Sequence, residues 1–443
     1  MTRKYGFLNG YFRKPGYLSD QKGIALVAGL ALMVVLTVLS FVAIQYASVD
    51  IKRTKDYTKT RQAVHIAEAG IHRALNYFNY DASGNSPGEV SNGFDDELVG
   101  GADWPSATFT NISLGSGGGT YTVTIADNAD GTATTTDADN SVILTSTGTI
   151  SGVTATLEAV IYRPLFKSQY AILSDGDVKV AGNSTSISGT NGAIHTNSDF
   201  TQSGSGTISG GVTASGECDE STCTAENVAE EFVPVIEPSD YEQYADYIFN
   251  ADGTVYQQGS TTDLCLKSGG GTCTAAFLGA FKFNSSGWSI SGETIGTNLP
   301  DQVNLYFKDD FTATSIGSSG NPWTATVVTE KSIAWTGNAY VNNYKDSSDS
   351  VDIQNLFLVA GNDIKVSSME QNTTGLIAAK DQVSLGGGAT LEGYIIANDL
   401  TGDDNTVNSR ITDASGGVTL VYNGDIVAPV LSNKVSLLSW QET

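Results

Sequence analysis

Three kinds of side chain in this 443-residue sequence could do chemistry: histidines, close carboxylates and paired cysteines. His65 and His72 lie seven residues apart in a helical pattern. The four-residue spacing that puts two imidazoles on one helix face for a metal is missing. His195 stands alone among Ser, Thr and Asn, where a surface strand position is expected. Asp175/Asp177, Asp309/Asp310 and Asp403/Asp404 are close carboxylates of the kind glycoside hydrolysis uses. Sequence neighbours on turns are more commonly solvated, and the chain has no G-x-S-x-G, H-E-x-x-H or P-loop element. No catalytic residue, and so no enzyme, is expected. Asp127 and Asp130, with Asp137 and Asp139 beyond, would suit a loop calcium ion. They lack the alternate acids and closing Glu of an EF-hand, so a polar hairpin turn is expected, with no metal and no cofactor.

The four cysteines form two close pairs, Cys218/Cys223 and Cys265/Cys273. An even count at short spacing in an exported chain predicts disulfides, local or cross-paired, and an oxidising compartment. Neither pair has the two-residue gap of a zinc knuckle. Trp288, Trp323 and Trp335 could stack on sugars, although core packing is the stronger expectation for scattered Trp. Trp440, near the end in SLLSWQET, is expected to dock the C-terminus by burying its ring.

The elements that would position these groups follow from composition and pattern. Residues 1–80 hold 11 Lys+Arg against 4 Asp+Glu, leaving 12 against 44 for the remainder, so the formal charges are near +7 and −32. The acidic body is repelled by nucleic acid, which is not an expected partner, and by anionic membrane surfaces. With 40% apolar residues it still has material for a core, and 49 glycines against 9 prolines favour short strands joined by tight turns. Period-2 alternation predicts strands over 120–125, 141–145 and 154–162, after a loop-rich stretch from residue 81.

From residue 170 an internal repeat appears. Ile172 to Val180, Val327 to Trp335, Leu358 to Val366 and Ile377 to Leu385 share one nine-residue form, and Ile395 begins a shorter version. The starts at 358, 377 and 395 are 19 and 18 residues apart, which suggests a β-solenoid of right-handed β-helix type over 170–443. A two-sheet sandwich is the alternative. Residues 216–355, which hold the cysteines, are expected to interrupt the stack as an irregular insertion with a helical piece.

All of this hangs from Ile24 to Tyr46, an apolar run without a charged residue. It is long enough for the roughly 30 Å hydrocarbon core of a bilayer. Arg3, Lys4, Arg13, Lys14 and Lys22 precede it against Asp20, favouring a cytoplasmic N-terminus. Lys52, Arg53, Lys55, Lys59 and Arg61 follow it against Asp50 and Asp56. A signal peptide is disfavoured because the run exceeds an h-region, no A-x-A-like site follows and the helical pattern continues to about residue 80. A plain single-pass anchor is a further alternative. In the second half Ala63, Ile66, Ala67, Gly70, Ile71, Ala74, Leu75 and Phe78 mark one apolar face, expected to pack on the chain's own β-domain.

Gln21-Lys22-Gly23 followed by Ile24-Ala25-Leu26-Val27 resembles the start of a type IV pilin-like protein. More narrowly, residues 21–40 together with RQAVHIAEAGIHRAL resemble PilX-type minor pilins, with Ala67-Glu68-Ala69 matching a motif of that family. The resemblance covers roughly residues 19–80. It implies a leader over 1–23, cleavage between Gly23 and Ile24 by a prepilin peptidase, and a filament helix over 24–80. Ala28 stands where major pilins carry a glutamate that neutralises a neighbour's amine, which points to a tip or low-copy subunit. Gly29 is expected to permit close approach of a neighbouring helix. The resemblance further implies a non-catalytic role in priming or capping a type IV pilus, with other minor pilins and a PilY-type tip adhesin as partners. The expected location is the inner membrane, then the cell surface. A surface adhesin whose solenoid binds glycan is the second reading.

Overall fold

A computed structural model describes residues 21–79, 93–100, 104–115, 117–129, 134–137, 139–219, 223–265, 273, 275–292, 294–345, 353, 355–369, 373–399, 411–432 and 434–443. One unbroken helix, α1 (Gln21–Asn79), contains no proline over its 59 residues and matches the expected extent. At 1.5 Å per residue it is about 88 Å long. A β-rich body follows.

The second half of α1 lies across an antiparallel sheet built from β1 (Ile112–Ser113), β2 (Thr120–Asp127), β3 (Ser141–Ile150) and β4 (Val153–Tyr162), in that spatial order. Tyr121, Val123, Val142, Leu144, Ala155, Leu157, Ala159 and Ile161 alternate onto the helix side. There they bury the apolar row of Ala63, Ile66, Ala67, Ile71, Ala74 and Phe78. This period-2 face against a 3.6-period stripe is the packing the two patterns require. At the far end of the helix Phe78, Phe94, Trp104 and Phe109 stack or meet edge to face.

The last strand of this sheet is the C-terminal segment Ser436–Glu442, which pairs antiparallel with β4. Its sheet-mates thus include both neighbours of a long excursion, because Tyr162 and Ser436 are register partners. The structure places this segment with the helix-bearing sheet rather than with the repeats. Trp440 is 54% exposed there, so the expected burial of its ring is not observed. All residues of this edge strand are exposed, so neither of its faces is covered by another element.

Between those partners the chain lays mostly parallel strands into two further sheets, of 15 and 10 strands among the described residues, each with one antiparallel pair at an edge. The repeat read from sequence is the register of this stack. Val327, Leu358, Ile377, Ile395 and Ile172 are successive Cα partners in one sheet. Trp335, Val366, Leu385, Ala414 and Val180 are partners in the other. Strands such as Leu356–Ala360 and Thr373–Ala379 are buried on both faces, which explains runs of apolar residues without alternation. The sheets remain open, so the pairings show stacked turns without a closed coil.

Two features depart from the expected arrangement. Residues 303–336 lie within the span expected to be irregular, yet Val303–Phe307, Phe311–Thr314, Trp323–Thr329 and Ile333–Thr336 are in register with the repeats. The spatial order also differs from sequence order, since Ile172–Ser174 sits between Thr390–Ala397 and Ile194–Thr196. A strap makes this possible by carrying the chain back along the stack after Cys223–Ala225. Asn197 accepts from the Glu231 backbone N–H and donates to its carbonyl, both at 2.8 Å. Farther along, Asn398 donates to the Val233 carbonyl at 3.2 Å, Lys380 pairs with Glu237 at 2.9 Å and Lys308 with Glu242 at 2.8 Å.

Both cysteine pairs are local disulfides, Cys218–Cys223 and Cys265–Cys273. The first joins two short strands at one end of the stack. Closing loops of 5 and 8 residues is worth roughly 2 kcal/mol each. Reductant should therefore lower the urea midpoint of the folded protein. An unmoved midpoint would show that these bonds do not contribute to stability.

Candidate functional site

The first half of α1 has no counterpart in the body. From Ile24 to Val49 every residue is exposed, including Ile24 at 71% and Tyr46 at 69%. Ala28 is exposed with them, and nothing lies within 4 Å of the position a Cβ on Gly29 would take. Gly23 falls within the helix. A helix that is apolar all round is stable only where lipid or other apolar helices cover it. At roughly 2 kcal/mol per buried Leu, Ile, Val or Phe, its large side chains make covering this surface a dominant free-energy term. Length and composition qualify it as a candidate membrane span.

The transition from exposed to covered helix is set by two glycines. A Cβ on Gly148 of β3 would lie 2.2 Å from the Ala63 carbonyl oxygen and 2.6 Å from the Ala67 nitrogen. One on Gly70 of α1 would lie 2.3 Å from Ser146 Oγ. Helix and sheet backbones approach this closely only because side chains are absent at both points. Gly70 is legible in the apolar stripe. Gly148, inside an alternating strand, carries the general signal of a strand glycine, a close backbone approach.

A buried ion pair closes the other end of this interface. Arg163 Nη2 donates to Glu97 Oε1 at 2.6 Å, with the two side chains 0% and 1% exposed. The guanidinium also lies 4.6 Å from the Phe94 ring centre and 5.6 Å from that of Phe78. Burial pushes Glu97 up and Arg163 down from their ordinary values, against their mutual attraction. Neither residue stands out in the sequence, because Glu97 belongs to a five-residue helix, Asp95–Val99, in a stretch that reads as loop.

The residues expected to carry chemistry are dispersed and engaged in structure. His195 is buried rather than on the surface. Its Nε2 bonds Asn197 Oδ1 at 2.9 Å and its Nδ1 meets Thr213 Oγ1 at 2.8 Å. Asn197 Oδ1 can only accept, so the proton on His195 is assigned to Nε2. Asp175 accepts from Asn197 at 2.6 Å, and burial raises its carboxyl from the ordinary range. Asp177 accepts from Ser198 Oγ and the Asp199 N–H. Asp309 pairs with Lys331, and Asp310 accepts from the Ser332 N–H. Asp403 and Asp404 lie outside the described residues.

Asp130 of the candidate calcium loop is also outside the described residues. Asp127 accepts from the Ala129 N–H, while Asp137 accepts from the N–H groups of Phe94, Asp139 and Ser141. Asp137 thus fastens the 93–100 segment to the sheet. Trp288, Trp323 and Trp335 are fully buried, and the first two donate to the carbonyls of Asn250 and Pro300. They cannot stack on a glycan, which leaves Trp440 as the exposed tryptophan among the described residues.

No family model matches the chain, and no curated protein matches it. Among solved structures, it is similar to the competence-associated pilin ComZ from Thermus thermophilus, with 13% identity over 87% of this chain and 98% of that one. The TM-score of that superposition is 0.30, too low to carry an argument about fold or function.

Proposed function

We propose that the chain is a minor pilin-type subunit that helps to assemble a type IV pilus, at the tip or in priming, without catalytic activity. The observation that carries this reading is the division of one continuous helix. Its N-terminal half exposes apolar side chains on every side, and its C-terminal half is buried on a sheet. Such a helix can wait in a bilayer and later exchange lipid for the helices of neighbouring subunits without refolding the body. The resemblance of residues 19–80 to PilX-type minor pilins gives the reading its particular form. It brings with it cleavage at Gly23-Ile24 by a prepilin peptidase, an inner-membrane stage before surface display, and other minor pilins and a PilY-type adhesin as partners.

The test is the N-terminal mass of the protein isolated from its own cells. A start at Ile24, N-methylated, is expected, and Gly23→Trp should abolish the cut together with piliation. An intact leader, or a cut after Ala47, would refute the assembly reading and leave a membrane-anchored β-protein. A glycan-binding adhesin has less support, because three of its four candidate stacking rings are in the core.

A further inference from the structure

Beyond the apolar run, α1 carries a basic collar that the assembly reading does not use. Lys52, Arg53, Lys55, Lys59 and Arg61 face Asp50 and Asp56, a net of three positive charges on a chain whose body is strongly acidic. All but Lys59 are exposed, and Lys59 is half-buried. Lys52, Lys55 and Lys59 continue the helix row that runs on through Ala63, Ile66 and Gly70, so they point to the side beneath the sheet. Asp56 shares that side and offsets one of the three. Basic residues on the exported flank of a span run against the usual bias of loop charge, which sets this segment apart.

The sheet above the collar is polarised. Its lower end is fixed by Gly148 against Ala63 and Ala67, and by Gly119 against Ile66. The register puts Thr120 beside Thr149, Ile150 beside Val153, and Glu442 beside Leu157 at that end. Among the described residues there, the carboxylates are Glu158 and Glu442 on the sheet and Glu68 on α1, and Glu442 and Glu68 are both near enough to act on Arg61. Asp127, Asp137 and Asp139 belong to the opposite end, about 23 Å of strand away. The acidic excursion also leaves and returns at that far end, through Tyr162 and Ser436.

We propose that this collar, Lys52, Arg53 and Lys55 foremost, seats on the phosphates of anionic lipid headgroups. The inference rests on the membrane reading of Ile24–Tyr46. Lys52 lies six positions after Tyr46, about 9 Å farther along the helix. The long side chains of Lys52, Arg53 and Lys55 can reach back to the headgroup layer from there, whereas Lys59 and Arg61 stand about 20 Å and 23 Å past Tyr46 and contribute less. Each such cation strengthens attachment to an anionic surface, and the set counters the repulsion of the acidic body. A second copy standing in the same bilayer would present its own net-positive collar at this level, so like charge disfavours it and lipid fits better.

All four cysteines are in disulfides, so Thr54→Cys, at an exposed helix position within the collar, gives a single thiol for a fluorophore. The full chain would be reconstituted in phosphatidylcholine vesicles with or without about 30% phosphatidylglycerol. Quenching by headgroup nitroxides would be read beside resistance to alkaline extraction. Expected are resistance in both lipids and quenching raised about twofold or more by phosphatidylglycerol. That increment should vanish in K52Q/R53Q/K55Q and in about 0.5 M salt. Ready extraction from both lipids would overturn the membrane reading itself. Retention with lipid-independent quenching would overturn the seat alone. Dimer cross-links that disappear in the triple variant, with quenching still lipid-independent, would assign the collar to the acidic body of a second copy and also overturn the seat.

Discussion

Replacing Arg163 by alanine is expected to destabilise the helix-bearing sheet by about 3–5 kcal/mol. Arg163 is 0% exposed, and its partner Glu97 is 1% exposed. Truncation would strand the Glu97 carboxylate in an apolar pocket beneath Phe94 and Phe78. The cost would be the desolvation of that unpaired charge, together with the contacts the guanidinium makes with two aromatic faces. Glu97→Leu with Arg163→Met removes both charges, and the double variant is expected to be far closer to the parent than either single change. A double-mutant cycle of urea midpoints measures this, and additive single effects would refute coupling between the two.

The same site predicts a pH dependence. Burial raises Glu97 above its ordinary value even with the guanidinium beside it. In Arg163→Met the opposing charge is gone, so the shift should grow. A carboxyl whose pKa is higher folded than unfolded binds more protons in the native state. Its stabilisation is complete below the unfolded value and is lost as pH rises through the folded one. The variant should therefore be closest to the parent in acid and fall away toward neutrality. A gap independent of pH would show that Glu97 is not the group responsible.

Local pattern carried much of this fold into the sequence. The α1 boundaries, the period-2 strands and the nine-residue form are each set by neighbours a few residues away, and each is found where its pattern puts it. The repeat could be read because Val327, Leu358, Ile377, Ile395 and Ile172 are register partners under the same inward constraint. What pattern does not encode is order. Ile172 stacks on Ile395 because a strap held by Asn197, Asn398, Lys380 and Lys308 returns the chain along the stack. Those four side chains look like ordinary turn residues. The Arg163–Glu97 pair joins positions 66 residues apart, and no spacing rule links them. Trp440 shows the converse, since an aromatic near a terminus suggests docking, but only the edge position of its strand decides its exposure.

Gly148→Val is expected to separate α1 from the sheet while leaving the stack intact. Even alanine at this position would place a Cβ 2.2 Å from the Ala63 carbonyl oxygen and 2.6 Å from the Ala67 nitrogen. Both are helix backbone, so no rotamer change relieves the clash, and the helix must tilt or withdraw. Ala63, Ile66 and Ala67, all buried on the sheet, would lose contact first. Overpacking of a core costs about 1–3 kcal/mol where side chains can move. With backbone on both sides, the upper end of that range or more is expected. Trypsin should then cut at Arg61 and Arg73 in the folded variant at concentrations the parent survives. Emission from the buried Trp288, Trp323 and Trp335 should stay unchanged, because the parallel sheets that hold them share no strand with this interface. Loss of that emission together with helix cleavage would mean that the two parts unfold as one unit. Full resistance of the helix would mean that the close approach at Gly148 does not hold α1 in place.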